Sequence, residues 1–207
     1  SLSAVEKHAV ENMASFTPRD LSAMMNRYGR IGAPPTPSML ALMERQSLKK
    51  MGAYTAQDLS STIHAYAKLG VRPGREMVAG MERQCLAAMA GFNPQDLANT
   101  MWASAKHGEM PSSEVVAALQ AQSLAEIGNF NAQEVTNTIW AYAKLGVVPS
   151  AELLAGLQEQ AVAEMKGFIP QHISNTLWAY AKLGVMPEAD LLEGLQQHAL
   201  SQMRGFR

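Results

Sequence analysis

An all-helical array of repeated helix pairs is the architecture this sequence predicts, and three observations predict it. The ten-residue stretch from Asn175 to Gly184 recurs from Asn137, Asn99, Ser61 and, in worn form, Ala23, always 38 residues apart. Aromatic markers keep the same step at Phe16, Tyr54, Phe92, Phe130, Phe168 and Phe206. Apolar residues recur at helical spacing, and no segment alternates as a strand would. Units of this length bury their apolar faces only against their neighbours. The expected fold is therefore all-α, an α-solenoid of antiparallel helix pairs curving into a right-handed superhelix.

The markers set the boundaries. Residues 1–15 read as the second helix of a truncated preceding repeat. Residues 16–53, 54–91, 92–129, 130–167 and 168–205 read as five repeats, and 206–207 as the start of a truncated one. Leu2, Val5, Val10 and Met13 stand one period before Leu40, Met43, Leu48 and Met51, so the chain reads as a fragment of a longer protein. Each first helix opens on a cap signal: Thr17-Pro18-Arg19-Asp20, Asn93-Pro94-Gln95-Asp96 and Asn131-Ala132-Gln133-Glu134 place an oxygen at N-cap and a carboxylate three residues on. Ile169-Pro170-Gln171-His172 departs from this and is expected to be less well capped. First helices end at Gly32, Gly70, Gly108, Gly146 and Gly184, each followed three residues later by proline. The second helix of the fourth copy is expected over 150–165, with Leu154, Leu157, Ala161 and Met165 on its packed face. Met51, Met89, Met165 and Met203 share one slot, read as core filling.

Composition narrows the function. A net charge of −1 gives a polyanion partner no support by itself, so any such reading must rest on where charges sit. The lone Cys85 excludes an intramolecular disulfide and a cysteine-based metal site, and its slot holds small residues in the other copies. No apolar run is long enough for a membrane helix, and the first residues lack signal-peptide form. His8, His64, His107, His172 and His198 are scattered on separate helices, and no catalytic or metal constellation converges. The chain is expected to be no enzyme, with no cofactor.

At 100° per residue, the fifth first helix puts Ile173, Leu177, Tyr180 and Gly184 on one side, expected to pack on the second helix. Opposite lie Gln171, Asn175, Trp178 and Lys182. The same stripe reads Gln133, Asn137, Trp140, Lys144; Gln95, Asn99, Trp102, Lys106; Gln57, Ser61, His64, Lys68; and Arg19, Ala23, Asn26, Arg30. An apolar core has no use for such columns, and asparagine is a poor helix former. Positions 23 and 26 and their equivalents vary together on a constant frame. Stacked repeats would present a π-face, a carboxamide and a cation per rung, the parts needed to stack a base, read its edge and anchor its phosphate. Three alternatives stay open: the indoles wedge between repeats, the carboxamides bond only between adjacent helices, or the terminal cations serve only the helix dipole. Asp20, Asp58, Asp96 and Glu134, near the starts of these helices, would dilute the basic wall.

The run Phe-x-Pro-Gln, Asn-Thr-x-Trp-Ala and Ala-Lys-x-Gly, as it stands from Phe92 to Gly108 and from Phe168 to Gly184, resembles the octotricopeptide repeat family. The resemblance covers nearly the whole chain and is weakest in the first copy, with Asn26 and Gly29 in place of Trp and Ala. It implies an α-solenoid that binds single-stranded RNA sequence-specifically in chloroplasts or mitochondria. The expected roles are mRNA stabilisation, processing, splicing or translation, with other proteins of an organellar ribonucleoprotein as further partners. The RNA is expected to be mRNA or rRNA, read at about one base per repeat by analogy with other helical-repeat readers. The alternatives are a peptide-binding scaffold or a structural subunit of an organellar ribosome.

Overall fold

The computed structural model describes residues 9–204, and among these every regular element is a helix. The expectations for Leu2, Val5 and Phe206 lie outside the described residues. The chain divides into two compact units, 1–92 and 93–207. In the first, a helical segment (α1, 9–12) is followed by α2 (Pro18–Ile31), α3 (Pro37–Lys50), α4 (Ala56–Leu69) and α5 (Arg75–Ala88). In the second come α6 (Pro94–His107), α7 (Ser113–Ala125), α8 (Ala132–Leu145), α9 (Ala151–Ala163), α10 (Pro170–Leu183) and α11 (Ala189–Arg204).

The cap signals work as chemistry dictates. Thr17 and Asp20, Thr55 and Asp58, Asn93 and Asp96, and Asn131 and Glu134 form reciprocal capping boxes. At α10 the Ile169 side chain offers no acceptor. Only half the box survives, with the Ile169 N–H donating to His172 Nδ1 at 3.4 Å. At the other end, Gly146 takes φ 73°, and the Val147 N–H bonds back to the Tyr142 carbonyl at 3.1 Å. A Cβ there would meet nothing within 4 Å, so the requirement for glycine is conformational alone. The second helices α3, α5, α7 and α9 each give way to a 3-10 turn before the next aromatic marker, as at Met165–Gly167. This corrects the expected continuous helix over 150–165: α9 stops at Ala163, with Leu153 and Leu157 buried and Leu154 and Met165 only half-buried.

The cores are periodic. Tyr54, Phe92, Phe130 and Phe168 are buried between helices, and so are Tyr66, Tyr142 and Tyr180. In the first unit Leu21, Met25, Tyr28, Met39, Met43, Ala65 and Tyr66 belong to one cluster. Cys85 lies in its small-residue slot, buried, its thiol pushed up to about 12 by burial. The methionine slot is a contact between successive second helices. Met51 packs over Gly80 and Met165 over Gly194, where a Cβ would stand 3.1 Å from the Met165 Cε. Met203 has no such neighbour among the described residues and is 70% exposed, so core filling does not describe it.

Side chains of the second helices fix the register. Gln84 Nε2 donates to the carbonyl of Tyr54 at 2.8 Å, Gln160 Nε2 to that of Phe130 at 2.6 Å, and Gln202 Nε2 to that of Phe168 at 2.7 Å. His198 Nε2 lies 2.8 Å from the same Phe168 oxygen, and Lys50 Nζ donates to the Phe16 carbonyl at 2.6 Å. Within each unit a second column ties one second helix to the start of the next, α3 to α5, α7 to α9 and α9 to α11. The Gly74 N–H donates to Glu44 Oε1, that of Ser150 to Gln120 Oε1, and that of Glu188 to Gln158 Oε1.

One expected face is wrong in part. Ile173 and Tyr180 are buried as predicted, but Leu177 is 40% exposed and Gly184 is exposed. The equivalents of Leu177 in α6 and α8, Met101 and Ile139, are 2% and 1% exposed. Those helices each have another first helix packed beyond them, α6 against α8 and α8 against α10, and α10 has none among the described residues. The column therefore faces the next first helix and not the second helix of its own repeat.

Two outcomes follow for stability. Gly146→Ala forces an L-residue into the left-handed region and should cost about 1–2 kcal/mol in urea denaturation. Gly128→Ala, at an open position without positive φ, should stay within about 0.5 kcal/mol. Burial holds the His172 pKa below its ordinary value, against a hydrogen bond to the Gly167 backbone that raises it. A depressed histidine favours the folded state above the unfolded pKa, and that contribution is lost as pH falls through the folded value. Thermal stability should decline on acidification below about pH 6.5. His172→Asp should restore the capping carboxylate, gain about 0.3–1 kcal/mol at pH 7 and remove part of the acid sensitivity.

Candidate nucleic-acid interface

The outward columns of the first helices are set by how those helices meet. Ala103, Ala141, Ala143 and Ala179 are fully buried where α6, α8 and α10 pack flank to flank, and Ala105 is nearly so. In the first unit, Gly29 of α2 faces Ala65 of α4, and even an added Cβ would sit at ordinary contact distance, 3.6 Å. Small side chains on this seam let neighbouring helices approach closely, so the residues flanking it line up from rung to rung.

In the second unit the four columns face solvent. Gln95, Gln133, Gln171, Lys106, Lys144 and Lys182 are exposed. Trp102 and Trp140 are half-buried and Trp178 is 42% exposed. The Trp140 and Trp178 rings lie 6.3 Å apart between centroids with planes tilted by 33°, and Lys106 Nζ sits 5.6 Å from the Trp102 ring centroid. The indoles lean on one another and on a cation, and none is sealed between repeats. Asn99, Asn137 and Asn175 are half-buried, and their carboxamides make no hydrogen bond to another described residue. A carboxamide held at a surface without an internal partner offers a donor and an acceptor to a ligand.

The first unit carries a different version. Gln57 and Lys68 are exposed, and Ser61 and His64 half-buried. Burial, with the Lys68 charge as the lesser cause, holds the His64 pKa low. On α2, Arg19, Ala23 and Arg30 are exposed and Asn26 half-buried. The carboxylates expected to dilute this wall are partly withdrawn from it. Asp58 and Asp96 are 9% and 4% exposed, tied to the N–H groups of Thr55 and Asn93, while Asp20 stays in solvent. Among the described residues no group of three or more His, Cys, Asp and Glu could hold a metal ion, and no helix is long and apolar enough to cross a membrane.

Reading the sequence missed the side chains that position this face from behind. Gln84, Gln160 and His198 recur at the 38-residue step, as do Glu44, Gln120 and Gln158. That recurrence was the available signal, and polarity made the positions look like solvent positions.

Two comparisons bear on the chain. A family model described as RESC6, RNA-editing substrate-binding complex 6 protein, matches residues 2–150, well over half the sequence. No curated protein matches.

The placement of the indoles has a direct readout. In variants retaining one tryptophan each, acrylamide should quench Trp178 more strongly than Trp102 or Trp140. Equal and weak quenching of all three would mean that the indoles are enclosed.

Proposed function

We propose a single-stranded RNA-binding function for this chain, which belongs to the RNA-editing substrate-binding complex 6 protein family. The observation that carries the reading is the open ladder on α6, α8 and α10, with indole, free carboxamide and ammonium on successive rungs. The family's description supports a setting in an RNA-handling complex, with RNA and other proteins as partners.

In this reading Trp102, Trp140 and Trp178 stack on bases, Asn99, Asn137 and Asn175 read base edges, and Lys106, Lys144 and Lys182 meet phosphates. The 6.3 Å between the Trp140 and Trp178 rings is close to twice the ~3.4 Å rise of stacked bases, so a small rotation of the tilted rings admits a base. His64, held neutral by burial, replaces an indole in the second repeat and presents a flat ring there. The chain reads about one base per repeat, as an octotricopeptide-type reader would, and binds without catalysing. Its setting is organellar RNA metabolism, in a mitochondrion or chloroplast, and this rests on the octotricopeptide resemblance.

Labelled single-stranded RNA titrated at two salt concentrations tests the reading. Three lysine–phosphate contacts give a slope of log K against log salt near −2, since each contributes about −0.7 for a single strand. Trp178→Ala should cost about 1–3 kcal/mol of binding, and its exposure leaves the fold intact. Absence of binding at low salt to any sequence of a random pool ends the proposal.

A further inference from the structure

The charges of this protein are segregated in a way the RNA-binding face does not use. Residues 9–92 carry ten Lys and Arg against six Asp and Glu, and residues 93–204 carry five against eleven. Within the second unit the imbalance concentrates on the second helices. α7, α9 and α11 together hold Glu114, Glu152, Glu159, Asp190 and Glu193, with Arg204 as their single Lys or Arg. In the first unit α3 and α5 are the reverse, with Arg45, Lys49, Lys50, Arg75 and Arg83 against three glutamates.

The acidic layer is also shaped. Between α9 and α11 lies a cleft of ≈ 210 Å³ lined by Gln158, Glu159, Val162, Glu188, Asp190 and Leu191. Leu191 is buried and forms an apolar base, and Val162 is 39% exposed beside it. Glu159, Glu188 and Asp190 are exposed around them. The Glu188 wall is fixed in place: Gln158, itself 6% exposed, accepts from the Glu188 N–H at 2.8 Å and donates to Glu188 Oε1 at 3.3 Å. The volume is below the roughly 300–1,000 Å³ of small-molecule sites and suits one or two side chains.

We propose that the outer layer of the second unit docks a basic protein segment, with an apolar side chain of that segment seated between α9 and α11 and its lysines or arginines against the surrounding carboxylates. The apolar base supplies the anchor and the carboxylates supply steering and register. A polyanion is repelled from this layer, so it is a separate surface from the ladder on the first helices. The inference stands on this geometry and does not depend on the RNA-binding reading.

Fluorescence anisotropy of the full chain with a labelled synthetic peptide of alternating leucine and lysine tests it. Saturable, salt-sensitive binding is expected, weakened about tenfold or more in an E159Q/E188Q/D190N variant. Val162→Asn keeps the charge and should still weaken the peptide about fivefold, at a position exposed enough to spare the fold. Thermal melts confirm that both variants are folded. Absence of peptide binding, or equal affinity in wild type and both variants, overturns the proposal. Loss in the charge variant with none in Val162→Asn overturns it too, because attraction without a seat is not docking. Full displacement of the peptide by single-stranded RNA would place both ligands on one face and equally overturn it. A chain that binds the peptide but no RNA would leave this proposal standing and remove the other.

Discussion

The packing of first helices along an alanine seam is the constraint on which the rest of each unit depends. Ala103, Ala141 and Ala179 have no exposed surface, and the helices that carry them make the most extensive contacts of the second unit. A larger side chain on that seam would force neighbouring helices apart and break the alignment of every column beside it. The 6.3 Å approach of Trp140 to Trp178 is thus a consequence of the methyl groups that follow them on the same helices, at Ala141 and Ala179. The second helices contribute by holding distance. Their amides grip main-chain carbonyls, and glycines such as Gly80 and Gly194 leave room for the Met51 and Met165 side chains.

Most of the local structure was legible because it rests on short-range chemistry. Thr17 with Asp20 and Asn93 with Asp96 close capping boxes that depend only on a three-residue spacing, and the terminal glycines take the left-handed conformation the punctuation implied. The weak start at Ile169 was equally readable, since isoleucine has no oxygen to offer. What failed depended on neighbours. A helical wheel shows which residues share a side and says nothing about whether that side meets the partner helix or the next repeat. Leu177 was therefore assigned to the wrong contact, while Met101 and Ile139 reveal the true one. The end of α9 was missed because a 3-10 turn has almost the same apolar spacing as the helix it terminates.

The candidate face was legible in outline, as polar columns with no place in a core. The relation among its members was not. Sequence alone left the indoles either open or wedged, and the protein adopts an intermediate arrangement in which Trp140 leans on Trp178 while Trp178 stays accessible. The acids near the helix starts counted against a basic wall in the sequence. Burial of Asp58 and Asp96 within their caps reduces that objection, because a carboxylate satisfied by backbone N–H groups projects less field outward.

The unengaged carboxamides of Asn99, Asn137 and Asn175 have one more consequence. Because no described residue relies on them, these positions can change identity at little cost to folding, as the shift from asparagine to Ser61 in the second repeat already illustrates. Caps, seam and clamps carry the architecture elsewhere, so the lettering on the wall can be reset while the wall stands. A lineage could revise what such a surface accepts, one substitution at a time, and remain folded at every step.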